Sequence, residues 1–210
     1  MNNFATLLIL TEIFLLASCG QLDEARSTYT AVATSARAAK NMGAALAAAE
    51  KNRAVRTERG DTASLNYKDL QRYLPGSIAG FMPVGEPKGE SVNMSGISYS
   101  SCEQTYKKGD QHLKVQLIDY NGANALYAGA TAMMSAGFSQ ENDEELMRGC
   151  DLGIANVKGW ETLQKKEHKA SVALGVGDRF FVAVESDGQN DTDFVKQVAR
   201  DIDLNALAKL

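Results

Sequence analysis

Apolar and polar residues alternate in several stretches of this chain, and the alternation predicts a β-sheet. The clearest run is 112–120, where leucine and valine alternate with lysine and glutamine. A second β-compatible run, 97–106, precedes it across the turn Lys107-Lys108-Gly109-Asp110. Period-two alternation beside a glycine-containing turn is typical of an antiparallel hairpin. We therefore expect a sheet with one buried face and one more polar face.

Four more strands are expected in the second half of the chain. Segments 146–152 and 154–163 have β-compatible compositions. A last hairpin joins 170–176 to 179–185 across Gly177-Asp178, a strong turn pair. Earlier in the chain, the glycine- and proline-rich segment 76–96 predicts an extended, turn-rich connection with at most an edge strand.

Three segments show helical spacing instead. Segment 66–74 puts its tyrosines and leucines on one side and ends at Pro75-Gly76. Segments 123–138 and 191–202 each carry an apolar stripe. Strands joined by hairpins, with helices between them, predict an α+β domain. We expect an antiparallel sheet of about six strands covered by helices.

An alanine-rich segment, about 28–59, precedes this domain. Alanine is the best helix former, so the segment predicts a helix that ends at Gly60-Asp61. Because it has few large apolar residues, it has little to bury and is expected to project or pack weakly. Thirty helical residues would reach ~45 Å at about 1.5 Å each, a useful spacer.

The chain starts with a short apolar leader. Residues 4–18 are almost all apolar, too few for a bilayer span of about 20 residues but suited to the ~7–15-residue core of a secretory signal. No Lys or Arg precedes the run, and Glu12 interrupts it. The alternative is an apolar first helix of a cytosolic domain. Such a helix should have one polar face, and this stretch has none.

Leu16-Ala17-Ser18-Cys19 closes the leader and resembles the lipobox of bacterial lipoproteins. The resemblance implies that residues 1–18 are a signal peptide and that Cys19 is lipidated, with palmitate, and becomes the N-terminus. Each buried CH₂ contributes about 0.8 kcal/mol, so several acyl chains would anchor the protein firmly. Because Gly20 rather than aspartate follows the cysteine, the resemblance implies the outer membrane of the cell envelope, facing the periplasm.

The predicted layout is a signal peptide (1–18), a lipid-anchored tether with the alanine-rich helix (19–60) and a single α+β domain (61–210). Residues 21–59 hold seven Lys/Arg against four Asp/Glu, whereas residues 60–210 hold fifteen against twenty-one. An acidic domain is a poor candidate for nucleic-acid binding. The basic segment could lie along anionic head groups or be a solvated tether, and we favour the tether.

Cys102 and Cys150 are the cysteines that remain after lipidation of Cys19. An exported compartment permits a disulfide, and a bridge between them would close a long loop. The alternative is two small buried thiols, since free cysteine is among the most buried residue types. The sequence leaves both alternatives open, because it does not show whether the two Cβ atoms approach within ~4.5 Å.

Candidate ligand-binding residues are few. Met133 and Met134 fall on the apolar side of segment 123–138, where they could line a pocket, although such a pair is more often core. Trp160, the only tryptophan, is the best aromatic ligand candidate, although a core or sheet-covering role is commoner. No metal site or cofactor is predicted, because His112 and His168 have no partner at ligand spacing.

The run Tyr73-Leu74-Pro75, the hairpin from 99 to 120, Gly159-Trp160 and the stretch 176–204 resemble bacterial envelope proteins. The element order is also similar to PsbP-like α/β sandwiches. The resemblance implies a fold only, since one fold serves many functions, and it assigns no functional residue.

The main functional hypothesis is a membrane-anchored periplasmic lipoprotein that acts as a non-enzymatic binding or scaffolding module, with an envelope protein as possible partner. One alternative is an enzyme, for instance a hydrolase, whose residues converge only in three dimensions. For that case Asp119, Tyr120, Arg179 and Glu185 are the first candidates. Another is a small-ligand carrier. A pocket that gathers two or more of these polar residues would favour the enzyme.

Overall fold

A computed structural model describes residues 40, 43–44, 46–78, 80–131, 134 and 137–210. The chain divides into two units, Met1–Lys40 and Asn41–Leu210, and the description below concerns the second. The leader, Cys19 and Met133 lie outside the described residues. None of the described helices is long and apolar enough to cross a membrane.

Among the described residues, nine strands form one antiparallel sheet in the order β1-β3-β4-β9-β8-β7-β6-β5, and β2 also pairs with β3. The α+β class with an antiparallel sheet is therefore confirmed. The strands are β1 Met82–Pro83, β2 Lys88–Met94, β3 Ile97–Lys108, β4 Gln111–Gly122, β5 Ser139–Glu141, β6 Glu145–Cys150, β7 Val157–Gln164, β8 Lys169–Val176 and β9 Phe180–Ser186.

The expected count of about six strands was too low. The three strands that were missed, β1, β2 and β5, are short or lie at the sheet edges. Of these, β2 is the longest, yet its side chains are almost all exposed and show no alternation of burial. It is a strand because its backbone pairs with β3, from Lys88 opposite Glu103 to Met94 opposite Ile97.

The described part of the chain contains the α-helices α1 (46–58), α2 Tyr67–Leu70, α3 Asn124–Thr131, α4 Asp193–Asp201 and α5 Leu204–Leu207. A short 3₁₀ helix, Gln71–Tyr73, continues α2. Helix α1 ends in the turn Arg59-Gly60, where Gly60 has a φ of 77° that favours glycine.

The core lies on one face of the sheet. Alternate residues of β4, among them Leu113, Val115 and Leu117, are fully buried, and so are their counterparts on β8 and β9. Leu70 of α2 and Val195 of α4 join the same cluster, together with α5. Helices α2, α4 and α5 therefore cover this face.

Helix α3 packs on the opposite face. Gly175 lies between two core residues of β8, so its Cα faces away from the core, and the nearest side-chain atoms there belong to α3. The rest of this face is half-buried in its middle and polar at its margins. The expectation of one buried and one more polar face matches this arrangement.

Candidate functional site

A cavity of about 590 Å³ lies between α1 and α3, above the ends of β7 and β8. Helix α1 forms one wall and α3 the other, and the turns at the strand ends form the floor. Its volume falls within the range of pockets that hold small organic ligands. The lining residues are Leu46, Ala48, Ala49, Glu50, Asn52 and Arg53 of α1, Asn124, Ala125, Tyr127, Ala128, Thr131 and Met134 of and after α3, and Asn156, Lys158, Gly175 and Asp178 of the floor.

The cavity exists because the residues at its walls and floor are small. Four alanines line the two helices, and Gly175 occupies the floor. A Cβ added to Gly175 would lie 2.7 Å from the Tyr127 hydroxyl oxygen and 3.1 Å from the Thr131 methyl carbon. Glycine at this position lets α3 approach the sheet closely, while the alanines leave the space between α1 and α3 open.

The charged side chains of the lining balance one another. Glu50 and Asp178 supply two carboxylates, and Arg53 and Lys158 supply two cations. The lining therefore carries no net formal charge that would favour an anion or a cation. Its alanine, leucine and methionine surfaces favour an apolar or amphipathic body.

Tyr127 is the buried polar group of the cavity. Burial raises the pKa of its hydroxyl, Asp178 raises it further, and Arg56 and Thr131 act in the opposite direction. The phenol therefore stays protonated and can donate or accept a hydrogen bond at the cavity floor. Its ring packs edge-on against Tyr120, with the centroids 6.3 Å apart.

Beside the cavity, five polar residues form a buried cluster that we call the joint: Arg56, Asp61, Asp119, Asn121 and Arg179. The Nε–H of Arg179 donates to Asp119 Oδ1 at 2.9 Å, and its Nη2–H donates to Asp119 Oδ2 at 2.7 Å. Its Nη1 donates to Asp61 Oδ2 at 2.8 Å. Such paired, bidentate contacts satisfy charges that would be costly to bury alone.

Arg56 connects α1 to the joint. Its Nε donates to Asn121 Oδ1 at 2.9 Å, and its two Nη atoms lie 3.5 Å from the main-chain oxygens of Gly177 and Asp178. Burial and the nearby Arg179 lower the pKa of Arg56, although the surrounding aspartates raise it. The joint fixes the end of α1 to the sheet.

A second buried carboxylate, Glu161, lies on the core face and holds α4. Thr192 Oγ1 donates to it at 2.7 Å and Lys196 Nζ at 3.0 Å, and Arg148 Nε also contacts it. Burial alone would raise the pKa of Glu161, but the hydrogen bonds from these three donors outweigh it and lower the pKa. One signal in the sequence marks Glu161: it falls on the apolar side of the alternating strand β7.

The sequence-predicted ligand residues are distributed as follows. Met134 lines the cavity. Trp160 is half-buried on β7, on the face opposite the core, and does not line the cavity. Met133 and the lipidation candidate Cys19 fall outside the described residues. His112 and His168 are exposed, and their Nδ1 atoms lie near Asp187 and Asn190.

Cys102 and Cys150 are free and buried. They belong to β3 and β6, which have β4, β9, β8 and β7 between them. At about 4.8 Å per strand, the two positions are ~24 Å apart, far beyond disulfide reach. The sequence leaves a disulfide and two buried free thiols as alternatives, and in the structure the two thiols are free and buried. Burial raises the pKa of Cys102 to about 12 and also raises that of Cys150.

The four residues suggested for an enzyme do not gather in the cavity. Asp119 and Arg179 are paired in the joint, and Tyr120 packs between Tyr99 and Tyr127. Glu185 is exposed at the other end of β9, where it pairs with Lys169. Within the described ranges, no group of three or more His, Cys, Asp or Glu side chains could hold a metal ion.

No family model, curated protein or solved structure matches the chain.

Proposed function

We propose that this protein is a lipid-anchored, non-enzymatic binding protein of the bacterial cell envelope. In this proposal the mature chain begins at Cys19, its lipid is inserted in the outer membrane, and the domain faces the periplasm. The ligand is a small apolar or amphipathic molecule held in the cavity between α1 and α3. The observation that carries the proposal is the cavity itself, with its small-residue walls and balanced charges.

The arrangement of buried charges supports binding rather than catalysis. Asp119 and Arg179 satisfy each other, and Glu161 accepts three donors. General acid–base chemistry needs a titratable group within hydrogen-bond reach of a substrate. In the described cavity, α1 supplies one carboxylate and one cation (Glu50 and Arg53), the floor supplies another of each (Asp178 and Lys158), and the buried phenol of Tyr127 has a raised pKa.

The binding proposal is tested with N-phenyl-1-naphthylamine, an uncharged probe whose fluorescence rises in apolar surroundings. The protein is the processed chain, residues 19–210, with Cys19→Ser so that it carries no lipid. We expect saturable one-to-one binding that Ala128→Leu weakens strongly, because the larger side chain occupies part of the cavity between the two helices. Ala54→Leu makes the same change at an exposed α1 position that does not line the cavity, and should leave binding intact.

Two results would refute this site. One is absence of saturable binding to the parent protein, and the other is an equal loss of binding in both variants.

The anchor is tested separately by labelling with a palmitate analogue. We expect label on the parent chain and none on Cys19→Ser, which should also leave the membrane fraction. If Cys19→Ser stays in the membrane fraction without label, the lipid-anchor proposal fails while the cavity proposal stands.

A second candidate, protein scaffolding, is favoured by the tip of the β2–β3 hairpin. Met94 and Ile97 flank the two-residue turn there and are 64% and 44% exposed. A photo-crosslinking residue at Ser95 in intact envelopes should capture one defined partner, whereas one at Gly109, in the polar β3–β4 turn, should not. Equal capture from both positions would indicate non-specific contact.

A further inference from the structure

Helix α1 forms a wall of the cavity but is weakly attached to the rest of the domain. It supplies six of the sixteen lining residues. Yet Arg56 is the only fully buried one among its described side chains, and Ala49 is half-buried. Leu46, one of the lining residues, is 48% exposed.

The attachments of α1 are concentrated in its C-terminal half. Arg56 enters the joint, and the Asn52 side-chain amide donates to the Asp178 carboxylate. No side-chain hydrogen bond or ion pair joins residues 46–51 to another described residue. The first half of α1 therefore faces α3 across the cavity without a polar side-chain contact to another described residue.

This arrangement makes the first half of α1 dependent on what occupies the cavity. Isolated helices shorter than about 12–15 residues are marginal in water, and most helical stability in proteins comes from packing of an apolar face. A ligand between α1 and α3 would contact Leu46 and Ala49 on one side and Ala128 on the other. It would thus add apolar packing between the two helices.

We propose that ligand binding in the cavity and docking of α1 on the domain are energetically coupled. The inference rests on the proposed function and adds regulation to the same site. An occupied cavity fixes α1 along its full length, while an empty one leaves it held at Asn52 and Arg56 only. Because coupling between two sites is reciprocal, the ligand must bind more tightly when α1 is docked, by the same factor by which the ligand favours docking.

The direct test is amide hydrogen exchange at residues 46–52 of the processed chain with Cys19→Ser. Saturating N-phenyl-1-naphthylamine should slow exchange there by about tenfold, within the 5–150-fold range typical of such coupling. Ala128→Leu should also slow it, without probe, because its larger side chain adds apolar contacts in part of the same space. Exchange in β4, in the core, should change much less.

The reciprocal test uses Arg56→Lys. Arg56 does not line the cavity. Lysine keeps the positive charge but lacks the planar guanidinium group, which contacts Asn121, Gly177 and Asp178 at the same time. We expect the probe affinity to fall by about tenfold and exchange at residues 46–52 to rise. Arg148→Lys is the matched control, because it weakens a buried-carboxylate pair at Glu161 that does not touch α1. It should leave both readouts unchanged.

The outcomes separate the coupling from the proposed function. If the probe binds and Ala128→Leu weakens its binding, but exchange at residues 46–52 does not change in either experiment, the coupling is overturned and the binding site stands. If the probe does not bind, the proposed function fails. In that case slower exchange in Ala128→Leu still supports the dependence of α1 on cavity filling, and unchanged exchange refutes it.

Discussion

Arg179 binds both carboxylate oxygens of Asp119, and neither side chain reaches solvent: they are 3% and 0% exposed. The same aspartate accepts the main-chain N–H of Leu65 at 2.8 Å, and the same arginine binds Asp61. One ion pair therefore ties the strand ends of β4 and β9 to the segment that follows α1.

Asp119→Asn should destabilise the domain strongly, because it leaves Arg179 buried with half of its counter-charge. Removing one partner of a buried pair costs about 3–5 kcal/mol. The free energy of unfolding from urea titration measures the effect. The control is Asp69→Asn, in the exposed pair with Arg72, which should cost less than about 1 kcal/mol. Equal losses in the two variants would contradict the role of the joint.

The contribution of Glu161 should depend on pH. Its hydrogen bonds lower the folded-state pKa below the unfolded value of about 4.3. Its stabilisation is therefore complete above that value and is lost as the pH falls through the folded-state pKa. The difference in unfolding free energy between the parent and Glu161→Gln should be largest near pH 7 and shrink below about pH 4.3.

Urea titrations across this pH range measure that difference. Glu144→Gln is the control, since Glu144 is exposed and pairs only with Lys166 among the described residues. It should cost less than about 1 kcal/mol. A difference for Glu161→Gln that stays constant down to pH 3 would contradict the assignment.

The two domain thiols should be present but unreactive in the folded protein. With its pKa raised to about 12, Cys102 is almost wholly protonated at pH 8, and Cys150 is buried as well. In the processed chain with Cys19→Ser, Ellman's reagent should react slowly in native buffer. It should then titrate two thiols in denaturant without reductant. Absence of these two thiols in denaturant would indicate a disulfide between Cys102 and Cys150.

Gly175→Ala should destabilise the domain by about 1–3 kcal/mol, because the new Cβ would collide with the Tyr127 hydroxyl and the Thr131 methyl. Gly129→Ala is the matched control within α3. A Cβ there meets nothing within 4 Å, and alanine favours a helix, so the change should be neutral or stabilising. Tyr127→Phe should partly rescue Gly175→Ala. Thermal unfolding distinguishes these outcomes.

The elements that the sequence predicts well are those defined by local pattern. The β3–β4 and β8–β9 hairpins follow from period-two alternation and turn residues, and α4 follows from its apolar stripe. Strand β2 could not be found in this way, because Lys88–Met94 buries no face and its pairing depends on the neighbouring β3.

The site was harder to predict because it is assembled by tertiary packing. Its walls include four alanines on α1 and α3, which in sequence indicate only helix propensity, and the sequence points to Met134 alone among the described lining residues. The sequence offers Asp119 and Arg179 as candidate catalytic residues, whereas in the structure they form a buried ion pair. The alternation along β4 indicates the buried position of Asp119, because this residue continues the series Leu113, Val115 and Leu117.

The burial of the Arg56 side chain also determines where the folded domain begins. The sequence places the boundary at residue 61, yet the side chain that completes the joint belongs to the helix before it. A fragment starting at residue 61 would expose Asn121 and Asp61 to water, whereas one starting at residue 46 would keep the joint whole. Protease cleavage before Asn52 should therefore leave a stable domain, whereas cleavage after Arg56 should destabilise it. The last turn of α1 is, in folding terms, the first part of the domain.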